Sequence, residues 1–102
     1  MLENLLQHKS VMLIVSTKTC PACNILRTSL PDFAEKYRGK VNVFVADVYK
    51  FPNIGIKFAV DRVPTVLLFD SKQLVHKCGA VTMRDLENAL RHMCSKAGSC
   101  WL

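Results

Sequence analysis

Thr19-Cys20-Pro21-Ala22-Cys23 follows the apolar run Val11-Met12-Leu13-Ile14-Val15 and precedes a segment with helical spacing. This places a Cys-x-x-Cys pair on a strand-to-helix turn. A cysteine at a helix start has its sulfur close to unpaired backbone N–H groups and to the positive end of the helix dipole. Both favour the thiolate, which is the nucleophilic form. The second cysteine lies about one helical turn on, within reach to resolve a mixed disulfide.

The spacing on either side fills in the architecture. Residues 11–17 are β-branched and apolar on both faces, which predicts a central buried strand. From Pro21 to Tyr37, the positions Leu26, Leu30, Phe33 and Tyr37 form one helix face, with Pro21 suited to the first helical position and Cys20 near the cap. Pro31 falls inside this run and predicts a bend or interruption, and Gly39 is placed to cap the end. Val41–Asp47 reads as a second strand, parallel to the first through a βαβ crossover. Residues 53–60 read as a short helix with Ile54, Ile56 and Phe58 turned inward. A hairpin of Val66–Phe69 and Gln73–Cys78 follows, with Gly79 marking a bulge or a close backbone approach. Thr82-Met83-Arg84-Asp85 matches a capping box, after which Leu86, Leu90, Met93 and Ala97 form the apolar face of a last helix. Leu2, Leu5 and Leu6 predict a short helix over residues 2–8, and residues 98–102 read as a short tail after a domain spanning 1–97.

Composition narrows the class. The chain has 102 residues, half of them apolar, enough for one domain and one core. No apolar run approaches the roughly 20 residues that span a bilayer, so no membrane role is expected. The start lacks the basic and long apolar regions of a secretory leader, which predicts a cytoplasmic protein. Five cysteines is an odd number (Cys20, Cys23, Cys78, Cys94 and Cys100), which fits a redox motif better than a secreted disulfide framework. The net charge of +6 is spread over scattered residues such as Lys18, Arg27, Lys36, Arg38 and Lys50. That pattern reads as a solvated basic surface rather than a nucleic-acid interface.

The order of these elements resembles the thioredoxin superfamily over residues 9 to 95. The landmarks are Cys20-Pro21-Ala22-Cys23, the helix exit Lys36-Tyr37-Arg38-Gly39-Lys40-Val41, the run from Lys57 to Phe69 containing Val63-Pro64-Thr65, and Gly79-Ala80. The resemblance implies an α/β thioredoxin-like fold, a four-stranded mixed sheet flanked by helices on both faces. It also implies a cis Val63–Pro64 bond facing the cysteines, a substrate backbone paired beside Val63, and Gly79 admitting that backbone closely. Thr19 and Pro21 would border the same substrate-binding surface. Several positions depart from the family pattern. Thr19 stands in place of tryptophan, Pro21-Ala22 in place of Gly-Pro, and Ile14 in place of the buried aspartate that assists the resolving cysteine. A first strand before residue 9 has no counterpart, and Pro31 lies about one turn later than usual.

The mechanism expected is a Cys20 thiolate that attacks a substrate disulfide and a more buried, less acidic Cys23 that resolves it. Lys18 would add positive potential near Cys20, or is simply solvated. Disulfide-bearing protein substrates and a donor, either a reductase of the thioredoxin-reductase type or glutathione, are the expected partners of a monomer. No cofactor or metal is expected. Half of a zinc site is the bland alternative for the pair, and His92 with Cys94 and Cys100 would have to complete it. His8, His76 and His92 read as scattered, and Cys78 as a small buried side chain. Pro21 also fits a glutaredoxin-like, glutathione-coupled activity, although Cys78-Gly79-Ala80-Val81-Thr82 lacks the Gly-Gly-Cys-Asp type of glutathione site. A binding module that merely keeps the fold is the non-enzymatic alternative, which would not require both cysteines.

Overall fold

The computed structural model describes residues 7–97, with side-chain surroundings through residue 93. The expected helix over residues 2–8 falls almost wholly outside this range. The tail 98–102, with Cys100 and Trp101, and the Cys94 side chain lie outside it as well. In chain order the elements are β1 (Ser10–Ser16), α1 (Pro21–Lys36), β2 (Asn42–Asp47), α2 (Pro52–Lys57), β3 (Thr65–Asp70), β4 (Gln73–Gly79) and α3 (Met83–Ala97).

The four strands form one mixed sheet in the order β2-β1-β3-β4. β1 runs parallel to β2, so the intervening α1 makes a crossover, and β1 is antiparallel to β3. The β3–β4 hairpin closes through Ser71 and Lys72, both at positive φ (51° and 74°), a backbone twist that matches the twist of the flanking strands.

Side-chain alternation explains why β1 and β3 are apolar without a break. Met12, Ile14, Val66 and Leu68 pack on one face with Leu26, Leu30 and Phe33 of α1 and Leu86 and Leu90 of α3. Val11, Leu13, Val15, Leu67 and Phe69 pack on the other face with Ile54 of α2. Both central strands are therefore enclosed on two sides, as strands covered by helices on both faces must be.

Three expectations need correction. α1 runs uninterrupted through Pro31; that residue is exposed, so water can serve the carbonyl left without a donor one turn back. Ile56 is not inward but 78% exposed, because α2 is too short to bury more than the Ile54 face. Of the two readings of Gly79 the bulge falls, because the ladder irregularity lies at Leu68/Phe69 and Gly79 pairs regularly with Thr65.

The helix ends are secured by named contacts. Gly39, at φ +82°, takes the left-handed backbone after α1. Asp85 N–H donates to Thr82 Oγ1 at 3.3 Å, while Asp85 Oδ2 accepts from the N–H groups of Val81 (2.9 Å) and Thr82 (3.1 Å), the reciprocal capping box in front of α3. Glu87 of α3 accepts from Lys36 Nζ at 2.6 Å and from the Tyr37 hydroxyl, tying the C-terminal end of α1 to α3. The dithiol end of α1 is thus positioned by the end of β1 and its far end by α3.

Candidate active site

Cys20 is the N-cap of α1 (φ −88°, ψ 116°), with Pro21 at the first helical position. Proline suits that place because its missing N–H would have had no intrahelical partner. The Cys23 backbone N–H donates to Cys20 Sγ at 3.2 Å. No acidic residue occupies the first turn to oppose a negative sulfur.

The two sulfurs differ sharply. Cys20 is partly exposed and Cys23 is 1% exposed. The Cys20 thiol is held below the ordinary thiol range, first by a hydrogen bond from the Cys23 side chain. The Cys23 and Ala22 backbone N–H groups and the Arg27 charge also lower it, against a smaller burial effect. Cys23 is pushed up, first by burial and then by its hydrogen bond to Cys20 and by the Cys20 charge. A Thr17 backbone hydrogen bond and Arg27 oppose that rise. The accessible sulfur thus favours the thiolate and the buried one the thiol.

The loop before β3 supplies the opposite wall. The Val63–Pro64 peptide is cis. The Cys20 thiol donates weakly to the Val63 carbonyl at 3.7 Å. Thr65 Oγ1 donates to the Arg62 carbonyl at 2.5 Å, which fixes the loop from the β3 side. Pro64 is buried, while Thr19 and Pro21 are exposed at the rim. Gly79 lies beside this wall through its pairing with Thr65, and a Cβ there would meet the Pro64 carbonyl at 3.9 Å, an ordinary contact. The protein's own packing therefore does not demand glycine at 79. The structure thus brings Cys20, Cys23, Val63 and Pro64 together, with Thr19, Pro21 and Gly79 around them.

Arg27 is a cation that lowers both sulfurs. Arg27 Nη2 donates to the Thr17 carbonyl at 2.6 Å, bracing the end of β1 from α1. Sequence reasoning left Arg27 among the scattered cations. Its place four residues after Cys23, on the same face of a helix, was the available signal. Ile14 is 1% exposed within the apolar cluster, and no carboxylate figures among the groups acting on either sulfur.

The other cysteine and the two histidines of the sheet and last helix fall elsewhere. Cys78 faces Val66 in the β3–β4 ladder and is half-buried rather than fully buried; burial, and secondarily the Asp85 charge, raise its thiol. His76 and His92 are not scattered, since their rings stack with centroids 4.7 Å apart. Among the described residues, no three His, Cys, Asp or Glu side chains converge as metal ligands, and no helix is long and apolar enough to cross a membrane.

The thioredoxin family model matches residues 2–92. The chain belongs to the thioredoxin family. Among its thioredoxin relatives, that of Buchnera aphidicola is 32% identical over 83 residues, covering 80% of this chain and 76% of the relative. Chloroplastic thioredoxin M3 of Oryza sativa is 25% identical over 76 residues, covering 70% of this chain and 43% of the rice protein. The fold matches germline-specific thioredoxin Deadhead of Drosophila melanogaster with a TM-score of 0.78 at 20% identity, over 87% of this chain and 85% of that one. Mitochondrial thioredoxin 3 of Saccharomyces cerevisiae, in its oxidised form, matches with a TM-score of 0.77 at 22% identity, over 84% and 80%. Membership in the thioredoxin family supports thiol–disulfide oxidoreduction as the general chemistry of this chain.

Proposed function

We propose that this thioredoxin-family protein reduces or exchanges disulfides in protein substrates through Cys20 and Cys23. The Cys20 thiolate attacks one sulfur of the substrate disulfide, forming a mixed disulfide and expelling the other sulfur as a thiolate, which takes a proton from solvent. Cys23 then gives up its proton and attacks Cys20 Sγ. The Cys20–Cys23 disulfide forms, the second substrate thiolate leaves, and two electrons have passed from protein to substrate. A reductase of the thioredoxin-reductase type, or glutathione, returns those electrons. Val63, Pro64 and Gly79 present the substrate backbone, with Thr19 and Pro21 at the rim. The reading places the protein in the cytoplasm, as a monomer.

The observation that carries this reading is the pairing of a helix-capping Cys20 with a Cys23 almost fully buried behind it, 3.2 Å from backbone N–H to sulfur. The test is a disulfide-reduction assay with Cys20→Ser and Cys23→Ser variants. Cys20→Ser abolishes turnover, and Cys23→Ser accumulates mixed disulfides. Unchanged function in both would support the binding-module alternative. Supplying thioredoxin reductase or glutathione separately identifies the donor; the proline after the first cysteine keeps the glutathione-coupled activity as the second reading.

A further inference from the structure

Beside the dithiol, at the ends of the parallel strands β1 and β2, lies a cleft of about 270 Å³. It is lined by Lys18, Arg27 and Lys50, by Asp47, and by Val45 and Phe51. Several cations elsewhere in the fold have partners. Lys36 pairs with Glu87, Arg38 with Glu35 and Arg62 with Asp61, and Lys77 donates to the Phe58 and Ala59 carbonyls. Lys18, Arg27 and Lys50 make no ion pair among the described residues. The single carboxylate of the cleft, Asp47, has Oδ1 engaged by the Tyr49 N–H at 2.9 Å. Three cations thus face one partly occupied carboxylate.

We infer that this cleft is a substrate-selecting subsite that receives an acidic segment flanking the target disulfide of a protein substrate. The inference rests on the oxidoreductase reading above and names its substrate class. Position supports it, because Lys18 is two residues from Cys20 and Arg27 acts on both sulfurs. Shape supports it as well. Val45 is 48% exposed and Phe51 37% exposed, which gives an apolar floor suited to a peptide chain rather than a bare ion. The uncompensated charge would both steer such substrates toward the site and hold them there.

The test compares two disulfide-bonded peptides of equal length, one with Glu and one with Gln beside the cystine, and uses oxidised glutathione as a third substrate. The expected result for the full chain is reduction of the Glu peptide about tenfold faster than the Gln peptide at low ionic strength. The advantage shrinks at high salt. The double variant Lys18→Glu/Lys50→Glu loses it, while Lys72→Glu, in the far hairpin turn, keeps it. Equal rates for the two peptides, or an advantage that survives the double charge reversal, would overturn the inference. So would a double variant impaired toward oxidised glutathione but not toward the Glu peptide, since the bound anion would then be the tripeptide. Binding of labelled peptides to Cys20→Ser protein, read by anisotropy, separates the two levels. Tighter binding of the Glu peptide without turnover in the parent protein would keep the subsite and overturn the catalytic reading.

Discussion

The Cys20 thiol lies 3.7 Å from the Val63 carbonyl oxygen, a contact that spans 43 positions of sequence and joins the helix-cap half of the site to the loop before β3. The carbonyl accepts from the protonated thiol and repels the thiolate. The Cys23 N–H, closer at 3.2 Å, does the opposite. The hydrogen bond from the Cys23 side chain, and after it this shorter backbone contact, hold the Cys20 thiol below its ordinary range.

In a background with Cys78, Cys94 and Cys100 replaced by alanine, so that only Cys20 and Cys23 absorb as thiolates, absorbance followed against pH should therefore show two steps, the lower one below the free-thiol value of about 8.5. Adding Cys20→Ser to that background should leave only the upper step, that of Cys23. Alkylation at neutral pH should modify Cys20 first. The sign follows from the depressed Cys20 value: the charged form that attacks is present above the lower step and lost as pH falls through it. A single step at or above the free value would contradict the site as described.

Replacing Arg27 by Met should raise both cysteine values and slow alkylation of Cys20 at pH 7 by about two- to fivefold. Arg27→Lys should recover part of the loss, because the charge returns but the donor to the Thr17 carbonyl is less well held. A rate untouched by Arg27→Met would remove this residue from the electrostatics of the site.

Much of this arrangement was legible in the chain itself, for physical reasons that differ by residue. β1 and β3 announced themselves because strands covered on both faces need apolar side chains at consecutive positions, and Met12 and Leu13 supply the two faces in turn. Cys20 at the cap and Asp85 in its capping box were legible because caps are local chemistry. Arg27 was not, since a cation in a helical run looks solvated until tertiary packing brings the Thr17 carbonyl to it. Pro31 misled because its cost depends on whether water reaches the freed carbonyl, and the pairing of His76 with His92 depends on a strand and a helix that meet only in the fold.

The capping box should be measurable as stability. Asp85→Asn should cost about 1 kcal/mol in denaturant unfolding at pH 7. Hydrogen bonds from the Val81 and Thr82 backbone hold the Asp85 carboxyl below its usual range. Its contribution is therefore present above the unfolded-state value of about 3.9 and lost as pH falls through the folded value. The gap between parent and variant should close in acid.

Ile14→Asp places a carboxylate where the surroundings are apolar and 1% exposed. Burial raises such a group, so the stability loss should be larger at pH 8 than at pH 4, as the folded state must increasingly bury a charge. Unfolding midpoints at the two pH values check this; a pH-independent loss would indicate packing damage alone.

The reduction potential should be less negative than the roughly −270 mV of thioredoxin, because Pro21-Ala22 separates the two cysteines where the family pattern has Gly-Pro. Equilibration with glutathione at fixed ratios measures it, and a value at or below that of thioredoxin would reverse the sign.

The Cys20–Cys23 turn is mounted on β1, the strand that neighbours both β2 and β3 and whose side chains from Val11 to Val15 are at most 1% exposed. Its amides should be among the last to exchange with deuterium, at a rate close to that of whole-molecule opening. Protease nicking of the loops around Tyr49 or Lys72 would then leave the sulfur pair aligned. Losing that alignment by way of β1 takes nothing less than melting the centre of the sheet.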